Sequence, residues 1–75
     1  MKKRDPVLLA FGRNVRKRRE ANQLTQESLA EKAALDRTYI SDIERGIRNL
    51  SMSTIVALAH ALDCTVSELT QAIDR

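Results

Sequence analysis

Arg37, Thr38, Ser41, Asp42 and Arg45 lie in one short stretch, RTYISDIER, at residues 37–45. At about 100° per residue, Ile40, Ile43 and Glu44 share one side of a helix, whereas Thr38, Ser41, Asp42 and Arg45 share the other and Arg37 and Tyr39 flank them. The chemistry this set supports is hydrogen bonding, not bond making. Guanidinium and hydroxyl groups on a face tied inward by only two isoleucines are the groups that read base edges in a DNA major groove. His60 and Cys64 are the residues that suggest catalysis or metal binding. One of each, without companions at ligand spacing or a paired nucleophile and base, falls far short of a zinc site or a covalent mechanism. The two glycines are too far apart for a phosphate loop, and the acids scatter over helix surfaces. No catalytic residue, metal, cofactor or small-molecule ligand is expected, and the chain is not read as an enzyme.

The elements that must position these side chains are helices. Apolar residues recur at three- and four-residue intervals, with two glycines, one proline and almost no β-branched alternation. Five helices are predicted. The first runs from about Pro6 to Ala21, capped by Asp5, with Leu8, Phe11 and Val15 in one stripe. Thr25 caps a second helix from Gln26 to about Ala34, burying Leu29, Ala30 and Ala33. A turn of about three residues leads to the third helix, with Asp36 as N-cap, Arg37 to Arg45 helical and Gly46 as a left-handed stop. The fourth follows Ser51 to about Leu62, turning Ile55, Leu58, Ala59 and Leu62 inward, and Asp63 takes the tolerant position after it. The fifth opens on Thr65-Val66-Ser67-Glu68, a capping box, and carries Val66, Leu69 and Ile73.

Seventy-five residues, 43% hydrophobic and 31% charged, describe one globular domain with one small core. Such a core stabilises only marginally and a single cysteine offers no internal disulfide, so a dimer is expected. Apolar runs are too short for a membrane span, no leader pattern is visible, and the lone cysteine suits a reducing compartment, so the cytoplasm is expected. Charge is lopsided: residues 1–20 hold eight Lys or Arg against two acids, a net +6, and residues 21–75 hold five against eight, a net −3. Lys17 and Arg18 then serve either as phosphate contacts or as a solvated helix face.

Two apolar stripes break their own pattern. Arg19 falls four residues after Val15, and Glu44 four after Ile40, each on the buried side of its helix. Opposite charges aimed at one small core are expected to pair and lock the first helix to the third, unless both snorkel separately to water.

TQESLAEKAALDRTYISDIERG, residues 25–46, resembles the helix-turn-helix of the phage repressor and Cro superfamily, the XRE family, and the similarity extends from about Val7 to Ile73. Within it, LDRTYISDIERGIRN closely resembles the controller proteins of restriction-modification systems, small dimeric regulators that activate and later repress their own promoter. Many stand-alone and prophage regulators share nearly the same string, such a repressor or an antitoxin is the runner-up, and a helical interaction module without DNA binding is the rival of another class. The resemblance implies an all-α, compact five-helix repressor-like domain over residues 1–75, with double-stranded DNA and a second copy as partners and RNA polymerase as a further contact. It implies that Gln26 donates to a phosphate and braces the recognition helix, and that Arg37 reads a base, phosphate contact alone being the duller alternative. Thr38 and Ser41 match base-contacting positions, Arg48 and Asn49 match residues that grip the backbone, and Tyr39 either reaches a phosphate or packs beside the core. Asp42 departs from the family pattern. An acid there is repelled by phosphate unless it accepts from a cytosine amino group or restrains Arg45 or Arg48. The dimer is expected near the C-terminus, through Asp63, Cys64, Val66, Leu69 and Ile73, placing two recognition helices about 34 Å apart on a pseudo-palindromic operator.

Overall fold

Asp5 caps the first helix by accepting a hydrogen bond from the Val7 backbone N–H at 2.9 Å, and Pro6 follows at a helix position where no backbone donor is needed. The computed structural model describes residues 5–73. Among these, five helices follow in order: α1 (Pro6–Ala21), α2 (Gln26–Ala33), α3 (Arg37–Glu44), α4 (Met52–Ala61) and α5 (Val66–Leu69). Among the described residues there is no strand. No helix among the described residues is long and apolar enough to cross a membrane.

Local chemistry sets most of the boundaries. Thr25 caps α2 in a reciprocal pair with Ser28, Ser51 caps α4 through the Thr54 N–H, and Thr65 caps α5 in a box with Glu68. Asp36 has the extended backbone of an N-cap, but its side chain makes no capping bond. The first four helices end alike. Gln23, Ala34, Gly46 and Asp63 take positive φ, and the next residue's N–H reaches back five residues, from Leu24 to Arg19, Leu35 to Ala30, Ile47 to Asp42 and Cys64 to Ala59. This double closure satisfies carbonyls that a helix end leaves open.

α3 packs against both α1 and α2, α2 also rests on α4, and α5 closes the end against α1 and α4. Leu29, Ile40, Ile43, Leu58, Leu62, Leu69 and Val15 are the largest fully buried side chains, and Phe11, Ala30, Ala33 and Ala59 complete the core. Three expectations need correction. α5 ends at Leu69, so Ile73 lies beyond it. Leu69 is 0% exposed within its own protomer, leaving it no surface for a partner. Four residues are too few to show which side of α5 faces inward. Arg45 closes α3 as its C-cap and is not a helical residue.

The Thr65–Glu68 box makes an acid-sensitive cap. The Thr65 backbone N–H, and then its hydroxyl, hydrogen-bond the Glu68 carboxylate and hold it below the usual glutamate range. A depressed carboxyl contributes stability that is present above its unfolded pKa and lost as pH falls through the folded one. Glu68→Gln is expected to flatten the acid side of the stability profile there, measured as urea midpoints against pH.

Candidate nucleic-acid interface

The short turn at residues 34–36 brings α3 back against α2, and Ile40 and Ile43 fix which way α3 faces, at 0% and 1% exposure. Arg37 and Thr38 are consequently exposed at the start of α3, and Ser41 and Asp42 are half-buried further along. Behind this face is a polar clamp. Arg19 Nε donates to Glu44 Oε2 at 2.6 Å and Nη2 to Oε1 at 3.1 Å, with the side chains only 12% and 5% exposed. Arg19 Nη1 also donates to the Leu24 carbonyl at 2.9 Å, tying in the turn before α2. The bond to Glu44 raises the Arg19 pKa above its ordinary value, so the guanidinium stays charged wherever the protein is folded.

Gln26 joins the same carboxylate, its Nε2 donating to Glu44 Oε1 at 3.1 Å. One amide hydrogen and the amide oxygen remain for an outside partner. Glu44 thus gathers α1, the α2 N-terminus and α3 in one contact. On the other flank, the Arg48 guanidinium carbon lies 4.5 Å over the centre of the Tyr39 ring, and Asn49 is exposed beside it in the chain. Lys17 and Arg18 line a groove between α1 and the C-terminal segment with Asn14, Glu68 and Gln71, on a different side of α1 from Arg19.

A short helix packed on its predecessor through a three-residue turn, with an exposed Arg-Thr edge and a braced back, is the arrangement of a helix-turn-helix. The helix-turn-helix family signature, HTH_3, matches residues 15–69. This chain belongs to that family. Its members are DNA-binding transcriptional regulators, and the chain is one of them. It is 50% identical over 56 residues to the control protein C.SmaI of Serratia marcescens, covering 75% of this chain and 67% of that one. With the control protein C.MunI of a Mycoplasma species it shares 40% identity over 70 residues, covering 92% and 95% of the two chains. The crystal structure of the restriction-modification controller protein C.AhdI from Aeromonas hydrophila superposes with a TM-score of 0.81 at 47% identity, covering 83% of this chain and 94% of that one.

Several residues that frame this helix-turn-helix carry no functional signal in the sequence. Gly12 is buried where α1 crosses the end of α3: an added Cβ would collide with the Ile43 carbonyl oxygen and lie 2.8 Å from that of Glu44. Asn14 donates to the Leu69 and Gln71 carbonyls at 2.9 and 3.0 Å, and Asn22 to that of Leu62 at 3.2 Å. A glycine inside a helix hints at close approach, but asparagines at exposed-looking positions give no such warning. Of the C-terminal set, Asp63 is exposed and Cys64, Val66 and Ile73 are half-buried. Burial pushes the Cys64 thiol up, favouring the unreactive protonated form. Among the described residues no group of three His, Cys, Asp or Glu could hold a metal ion.

Proposed function

We infer that this chain is a controller protein of a restriction-modification system, a cytoplasmic homodimer that binds a pseudo-palindromic operator with residues 1–75 acting as one domain. The carrying observation is the exposed Arg37–Thr38 edge of α3, braced from behind by Glu44 with Arg19 and Gln26. Similarity to control proteins over most of the chain supports the biological setting. Arg37 reads a base, Thr38 and Ser41 contact base edges, and Gln26, Tyr39, Arg48 and Asn49 engage phosphates beside them. RNA polymerase is the further partner during activation, and no small-molecule ligand is needed.

Selecting duplexes from a random pool at fixed salt tests this reading, the expected product being two half-sites about one helical turn apart. Failure of the purified protein to retain any duplex at low salt would overturn it. Against the selected duplex, Arg37→Ala is expected to lose about 1–3 kcal/mol of discrimination at one base pair per half-site while still binding DNA. Competition with single-base variants measures the loss.

The dimer surface extends along α4. Met52 and Val56, one turn apart, are 64% and 40% exposed, and Asp63, Cys64 and Val66 follow at the far end of that helix. A two-fold contact lets one such stripe cover its own copy. Val56→Glu is expected to convert dimer to monomer in sedimentation equilibrium and to weaken operator binding, whereas an unchanged dimer mass would place the contact elsewhere.

A further inference from the structure

Asp42 is the single acid on the outer face of α3. It lies in the last turn, where the helix dipole disfavours a negative charge. Its carboxylate is engaged sideways instead. Oδ2 accepts a hydrogen bond from Arg48 Nη2 at 3.2 Å, and Arg45 Nη1 lies 3.9 Å from Oδ1. The Asp42 side chain is 20% exposed and that of Arg48 48%, with the Arg48 guanidinium stacked on Tyr39. Arg48 is therefore held between a carboxylate and an aromatic face; its side chain stays about half exposed, but its charge is offset by Asp42, so a phosphate must compete with that carboxylate for it.

We propose that Asp42 is a positioning residue that sets specificity: it neutralises Arg48 in the free protein and on ill-fitting duplexes, and surrenders it only to the phosphate of a fitting operator. The inference rests on α3 being the element that enters the groove. On a random duplex α3 does not seat, the Asp42–Arg48 pair stays closed, and Arg48 displaces no counterion. A fitting operator changes two things together. A phosphate comes within reach of Arg48, and a base edge comes within reach of Asp42, whose carboxylate is satisfied by an amino group such as cytosine N4. The carboxylate then exchanges one donor for another instead of facing phosphate alone. Asp42 thus subtracts affinity from every duplex and restores it on one, which is discrimination by penalising the wrong partner.

The test is fluorescence anisotropy on a random-sequence duplex and on a pool-selected duplex, from about 50 to 200 mM salt. Asp42→Asn is expected to tighten binding to the random duplex and steepen its salt slope by about 0.9, so that affinity falls about threefold more than for the parent across that range. The selected duplex gains less, and the specificity ratio drops. Adding Arg48→Ala to Asp42→Asn returns the random-duplex slope to the parent value. Glu31→Gln, the same charge change on the exposed surface of α2, alters neither slope nor ratio. The proposal is overturned if Asp42→Asn leaves the random-duplex slope unchanged, if it strengthens both duplexes by one factor, or if Glu31→Gln reproduces its effect. A parent protein that binds neither duplex defeats the DNA-reading assignment and this inference together. A parent that binds while Asp42→Asn behaves identically defeats this inference alone.

Discussion

Replacing Glu44 by alanine is expected to cost up to about 3–5 kcal/mol of unfolding free energy, because it leaves the largely covered Arg19 guanidinium without its carboxylate. A domain of this length has on the order of 4–11 kcal/mol in total, so the variant should lose roughly a third or more of its stability. Urea denaturation followed by far-UV circular dichroism measures the loss. Removing both charges is predicted to behave differently. In Arg19→Met with Glu44→Leu no orphaned charge remains, and much of the stability should return. That double variant should still bind DNA poorly, since Gln26 Nε2 loses the carboxylate that fixes it at 3.1 Å. A loss below about 1 kcal/mol in Glu44→Ala would put the pair in the class of solvated surface bridges, and the clamp would have to be abandoned.

Gly12→Ala offers a sharper contest, since two considerations predict opposite signs. Helix propensity alone favours alanine by about 0.5–1 kcal/mol in a helix interior. The packing predicts destabilisation by about 3 kcal/mol, at the upper end for overfilled cores, because the obstacles are the carbonyl oxygens of Ile43 and Glu44. Backbone cannot step aside as a side-chain tip can. With about 4–8 °C per kcal/mol for a domain of this size, the melting temperature should fall by roughly 12–24 °C. A rise in melting temperature would show that α1 does not ride on the backbone of α3.

The parts of this fold legible in the sequence are those set by neighbours in the chain. Asp5, Thr25, Ser51 and Thr65 announce their helices because a cap and the donor it satisfies lie within three residues. Gly46 marks the stop after α3 for the same local reason. Arg19 and Glu44, although 25 residues apart, were legible because each interrupts an apolar stripe that has no other use for a charge. Asp36 shows the limit of such reasoning: the position is that of a cap, yet the side chain makes no bond there. Leu69 shows another, since a helix of four residues has no period from which to learn its buried side. Tertiary partners stay hidden when the residue itself looks ordinary, as with Asn14 reaching two carbonyls more than 50 residues away. On the candidate DNA face, the outward set of α3 follows from two isoleucines, whereas the Asp42–Arg48–Tyr39 cluster depends on how the loop after Gly46 folds back.

α2 and α3 have eight residues each, well under the roughly 12–15 at which a lone helix becomes marginally stable in water. The contact surface is thus a property of the whole domain, and excised as a peptide it would be a coil. Occupancy of DNA and resistance to melting become two readouts of one equilibrium, each raising the other by mass action. Warming, or a protease that captures the open chain, would silence the regulator at the very point where it unfolds.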